Sequence, residues 1–90
     1  MNTLIIDGRK CKSKAETHEY LARKEGFPDY YGKNLDALYD VLTDIGDKTH
    51  LRISFANALK KHLGDYGEKM IQVAMDAAKN NPNITFELED

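Results

Sequence analysis

Ninety residues, 41% hydrophobic and 31% charged with a formal net charge of -2, are enough for one small domain spanning 1–90 with a single modest core. The near-neutral balance excludes a strongly basic nucleic-acid binder, and no apolar run approaches the roughly 20 residues of a membrane span. The start, MNTLIIDGRK, lacks the basic lead and long apolar region of a signal peptide, and the lone Cys11 excludes an internal disulfide, so a reducing, cytoplasmic location is expected.

Residues 3–7 read as a strand, with Leu4, Ile5 and Ile6 apolar in succession. A continuous apolar run predicts burial on both faces, as in the middle of a parallel sheet. Asp7-Gly8 is a turn signal, and S-K-A-E at 13–16 matches a capping box. It opens a helix to about residue 25 that Gly26 ends. Leu35, Leu38, Leu42 and Ile45 then recur at steps of three, four and three, the apolar stripe of a second helix. Asn34 stands at its N-cap, Gly32 supplies the turn before it, and Gly46 follows where a helix commonly stops. Residues 50–55 form a strand in which Leu51, Ile53 and Phe55 alternate with Arg52 and Ser54. Helices over 56–63 and 66–80, separated by Gly64, come next; Met70, Val73, Ala74 and Ala77 make the core face of the longer one. Asn80-Asn81-Pro82 stops it, and residues 84–89 are the last strand. The order predicts an α/β fold, a three-stranded parallel sheet flanked by four helices, with the first strand in the centre.

The polar face of the second helix carries the functional signal. Asp36, Asp40 and Asp44 recur every four residues and stack on one side, where like charges repel. Asp36 suits the first turn, but Asp40 is mid-helix and Asp44 lies at the negative end of the dipole. From 28 to 47 there are Asp29, Asp36, Asp40, Asp44 and Asp47 against Lys33 alone, a local net charge of -4. An acidic patch of this kind suits a basic protein partner and repels nucleic acid. Tyr30, Tyr31 and Tyr39 beside it give an interface-like composition, with one of the adjacent pair expected to pack the helix entry as core.

Other chemistry is sparse. His18, His50 and His62 are dispersed as ordinary surface or boundary residues and show no metal-ligand spacing with Cys11. Cys11, in the basic run RKCK, is an incidental exposed thiol or one activated by neighbouring lysines. No P-loop or GxGxxG is present, so no cofactor, metal or catalytic residue is expected. An acid–base pair of Asp36 and Asp40 would need a concave pocket, whereas their helix face is expected to be convex.

The run PDYYGKNLDALYD at 28–40 closely resembles the core motif of the barstar family, intracellular inhibitors of a secreted ribonuclease. The similarity extends over nearly the whole chain, through I-Q-V at 71–73 and N-I-T at 83–85. The resemblance implies a three-stranded parallel sheet with flanking helices, and an inhibitor that plugs the ribonuclease active site with the helix after YYG and the loop before it. It implies that Asp40 occupies the substrate-phosphate site, with Asp36 and Tyr30 as neighbours. Gly32, Asn34, Leu35, Ala37, Leu38 and Tyr39 supply loop and helix contacts, and Asp76 matches an acidic family position that also touches the enzyme. With Tyr31 and Asp44 these residues, Ala37 apart, make up the expected partner-binding set. The implied partner is a basic secreted ribonuclease or nuclease toxin; the alternatives are an immunity protein or an interaction domain for another basic protein. Three positions depart from the family pattern: Tyr39 and Ile45 stand where it has tryptophans, and Lys33 where it has an acid.

Overall fold

The computed structural model describes residues 2–24, 27–28 and 31–90. Three strands, β1 (Asn2–Asp7), β2 (Thr49–Ser54) and β3 (Ile84–Leu88), form one parallel sheet. A 3-10 turn at Gly8–Lys10 and helices α1 (Lys14–Lys24) and α2 (Leu35–Thr43) link β1 to β2. Helices α3 (Ala56–Leu63) and α4 (Asp65–Asn80) link β2 to β3. The α/β class and the alternation of strands with helical crossovers are those expected. Among the described residues no helix is long and apolar enough to cross a membrane.

The strand order corrects one expectation: it is β1-β2-β3, with β2 in the centre and β1 at an edge. Right-handed crossovers that step twice in the same direction place both helical connections on one face of the sheet. The register puts Leu4, Leu51 and Phe86 on one rung, and Ile6, Ile53 and Leu88 on another. Ile6, Leu51 and Ile53 are fully buried. Side chains on the intervening rungs, Ile5 with Arg52 and Glu87, and Thr3 with His50 and Thr85, point to the other face and stay partly exposed. The central strand therefore alternates. An apolar run marks a central strand only where helices cover both faces, and here Ile5 is half-buried at an edge.

The core joins Ile6, Leu21, Leu38, Leu42, Leu51, Ile53, Leu59 and Met70, all fully buried. α2 packs on α4, and α4 also contacts α3 and β3. Phe55 breaks the expected strand alternation: β2 stops at Ser54, and Phe55 adopts φ 56°, is 41% exposed and lies under the Arg9 guanidinium, 3.9 Å from its ring centroid. The backbone at that bend passes so close to Gly8 that a Cβ there would sit 2.2 Å from the Phe55 carbonyl oxygen.

Two further expectations are overturned by burial. Cys11 is neither exposed nor activated: the turn at Gly8–Lys10 directs it inward, it is fully buried, and burial pushes its thiol up to about 11. His18 is no surface residue but is 2% exposed in the interior.

Candidate functional site

α2 begins as the sequence predicts. Asn34 is extended (φ -143°, ψ 175°), its Oδ1 accepts from the Ala37 N–H at 2.7 Å, and its Nδ2 donates to the Gly32 carbonyl at 3.3 Å. The left-handed residue before the helix is Lys33, at φ 56°, rather than Gly32. At Gly32 a Cβ would make a tight contact, 3.3 Å from Ala37 Cβ. Lys33 Nζ turns back to Glu19 on α1 at 2.5 Å, and this hydrogen bond holds the Glu19 carboxyl below its usual range. The charge that departs from the family pattern is thus engaged within the chain.

The helix ends differently from expectation. It stops at Thr43, and Asp44 is the C-cap in a right-handed conformation (φ -86°, ψ -6°) that donates to the Asp40 carbonyl. Gly46 is not its terminator. The terminal carbonyls are instead taken up from a distance: Asn81 Nδ2 lies 3.0 Å from the carbonyl oxygens of Leu42 and Ile45 and 3.3 Å from that of Thr43. A helix end needs partners for these groups, and here a side chain beyond α4 provides them.

Burial sorts the expected contact residues. Asp36, Asp40 and Asp44 are all exposed. Among the described residues, none of their carboxylates makes a hydrogen bond or ion pair. Leu38 turns inward and is fully buried, as Leu42 is, so it supports the acidic face from beneath and presents no surface. Leu35 is half-buried at the helix start. Tyr31 is only 5% exposed and is thus the core tyrosine of the adjacent pair. Tyr30 lies outside the described residues.

The Tyr31 hydroxyl is 2.5 Å from His18 Nδ1, and His18 Nε2 is 2.6 Å from the Tyr66 hydroxyl. Phe27 meets the Tyr31 ring edge-on at 5.1 Å. The relay ties the loop before α2 to α1 and α4. Burial lowers the His18 pKa and raises those of both tyrosines. Tyr39, half-buried, accepts a hydrogen bond from Asn80 Nδ2 at 2.8 Å. Asp76, on the exposed side of α4, accepts from Gln72 Nε2 at 2.9 Å.

Asp40 and Asp44 also line a groove of about 600 Å³, with Leu4 of β1, Phe27, Pro28, Tyr31, Val41 and Ile45 among its other walls. The acidic face is therefore not simply convex. Asp36 is outside the groove, so the Asp36–Asp40 pair does not share a cavity. Among the described residues the groove has two carboxylates and no basic side chain in its lining, a setting that favours a cation supplied from outside. Asn80, Asn81, His18 and Tyr66 give no functional signal in sequence, because each acts through a residue between 13 and 48 positions away.

Two comparisons with known proteins show what the chain is similar to. The chain matches, over residues 1–89, the family model described as "Barstar (barnase inhibitor)". It is 38% identical over 81 residues, 86% of each chain, to the Bacillus subtilis (strain 168) protein named "Putative ribonuclease inhibitor YrdF".

Proposed function

The chain belongs to the barstar family, and from that premise we propose that it inhibits a small, basic, secreted ribonuclease by seating α2 and the loop before it in the enzyme's active site. A ribonuclease must gather cationic side chains around the phosphodiester it cleaves. A short carboxylate on a rigid helix offers those cations the charge and oxygen spacing of a phosphate. Asp40 is that carboxylate, with Asp36 and Asp44 extending the negative face one turn in each direction. Gly32, Asn34, Leu35 and Tyr39 provide contact area around it, with Tyr30 in the loop and Asp76 at the rim. Cytoplasmic residence follows for an inhibitor that meets the enzyme before its export.

The observation that carries this reading is three exposed carboxylates without partners among the described residues, on a helix held at both ends. A surface fixed before binding loses little conformational freedom on association. The free carboxylates keep their charge available for steering a basic partner, an effect that salt screens. The test is inhibition of barnase-catalysed RNA cleavage by the purified protein at low and moderate salt. Stoichiometric inhibition that Asp40→Ala abolishes is expected. Inhibition untouched by Asp40→Ala would refute the phosphate-mimic role, and no inhibition would direct the search to another basic nuclease or toxin.

A further inference from the structure

The turn between α4 and β3 sends side chains across to α2. Asn81 is 4% exposed, and its Nδ2 reaches the carbonyl oxygens of Leu42, Thr43 and Ile45 at 3.0, 3.3 and 3.0 Å. Its Oδ1 accepts from the Asn83 N–H at 3.0 Å, and Asn83 Nδ2 donates to the Ile45 carbonyl at 3.2 Å. On the outer side Asn80 holds the Tyr39 hydroxyl. Helices commonly satisfy their last carbonyls with their own following residues, often around a left-handed glycine. α2 does so only in part, through the Asp44 and Ile45 N–H groups. The rest of its end is bonded to a different part of the fold.

The consequence is geometric. Asp44 is the C-cap itself, flanked by Thr43 and Ile45, whose carbonyls the amide holds. Asp40 is one turn earlier, and its carbonyl accepts the Asp44 N–H. Fixing the three carbonyls fixes the turn that carries both groove carboxylates against α4, the helix that carries Asp76. We propose that Asn81 is a positioning residue for the acidic site, its buried amide holding the last turn of α2 so that Asp40 and Asp44 face the groove. The use made of that orientation rests on the ribonuclease-inhibitor reading; the orientation itself does not.

Two variants of the full chain test this. Asn81→Asp keeps the size and the acceptor for Asn83 but sets a carboxylate oxygen against three carbonyls. Asn81→Ala removes the amide without burying a charge and serves where the aspartate variant fails to fold. N–H residual dipolar couplings and amide exchange are measured by NMR for α2, α3 and the sheet. In Asn81→Ala the couplings of residues 38–44 should depart from the wild-type orientation while those of α3 and the sheet keep it. Exchange at Asp44 and Ile45 should accelerate roughly tenfold more than in α3, as local opening allows. Unchanged α2 couplings with uniformly faster exchange would show a general stability role and overturn the proposal.

Calorimetric titration with barnase supplies the second readout. Asn81→Ala should weaken binding roughly tenfold in the wild-type background and much less in an Asp44→Ala background, as for residues acting through one another. Equal losses in both backgrounds would overturn the coupling. If the wild-type chain does not bind barnase, that outcome counts against barnase as partner, and the NMR result alone decides the positioning.

Discussion

Replacing His18 with leucine tests whether a buried polar relay holds the loop that leads into α2. The imidazole is 2% exposed between two tyrosine hydroxyls, at 2.5 and 2.6 Å. As a neutral ring it donates from one nitrogen and accepts at the other. Leucine removes two hydrogen bonds of about 1 kcal/mol each and strands the Tyr31 hydroxyl, 5% exposed, for a further 1–3 kcal/mol or so. Tyr66 is half-buried and can turn to water. Allowing for the added apolar side chain, a net loss of about 2–4 kcal/mol is expected, a large share of the stability of a domain this size. The pH dependence gives a second signature. Burial lowers the folded-state pKa of His18 below its ordinary 6.5, so in the interval beneath 6.5 the unfolded chain binds more protons. The contribution of His18 to stability is then constant at alkaline pH and falls as the pH drops below about 6.5, by at most about 1.4 kcal/mol per unit. It levels off once the folded pKa is passed. Asp7, Glu19 and Glu87, held low by Arg9, Lys33 and His50 respectively, lose their pairing in a more acidic range. Urea unfolding of wild type and His18→Leu from pH 8 to 5.5 reads both effects, and the difference between the two proteins isolates His18. Adding Tyr31→Phe to His18→Leu should recover part of the loss by removing the stranded hydroxyl. An unchanged pH slope in His18→Leu, or the same cost of Tyr31→Phe in both backgrounds, would refute the relay.

Asn34→Ala removes the cap on the Ala37 N–H and should cost about 1 kcal/mol in urea unfolding; no loss would show that the loop, not the cap, starts α2. Gly8→Ala would force a Cβ to 2.2 Å from the Phe55 carbonyl oxygen, so a loss of about 3 kcal/mol or more is expected in thermal melts, and a wild-type melting temperature would contradict the close approach. Asp40→Ala should weaken binding of a ribonuclease partner by about a hundredfold or more, as loss of one member of a desolvated charge pair does. Asp76→Ala, on the exposed side of α4, should cost less than about tenfold, as an exposed pair does. Calorimetry returning comparable losses for both would defeat that ranking, and neither change should lower fold stability appreciably.

What could be read in advance was local in origin. The N-cap at Asn34, the stripe Leu35-Leu38-Leu42-Ile45 and the stacked aspartates are set by residues three and four apart, and the helix carries them as far as Thr43, with Asp44 as its C-cap and Ile45 just beyond. The motif at 28–40 had the same advantage, because one helix and its approach loop hold most of the proposed contacts. What escaped depends on distant pairing. Strand order follows from the direction in which two crossovers step, and the apolar run in β1 gave no information on that. The groove exists because the edge strand β1 and the entry loop lie beside α2. His18 read as an ordinary surface or boundary residue, and only folding brings two tyrosines to its ring. The glycines at 32 and 46 were read as backbone devices, but the positive φ belongs to Lys33, and the helix end is bonded by Asn81.

The same contrast explains how so small a chain can present three like charges on one short helix. Asp36, Asp40 and Asp44 repel one another along α2, and Asp44 opposes the helix dipole, so α2 is poorly suited to stand alone. A nine-residue helix is in any case too short to be stable by itself in water. Its order therefore comes from tertiary bonds: the apolar seam of Leu38 and Leu42 against the core, the His18 relay under its approach loop, and the asparagine amides at its end. Two of the buried polar residues, His18 and Asn81, lie where the acidic helix and its approach meet the rest of the fold. Fully satisfied polar contacts fix one geometry where an apolar seam alone would tolerate sliding. In the proposed complex the carboxylates would meet a basic partner as a fixed array, and their mutual repulsion, which weakens the free helix, would be relieved as cations settle between them.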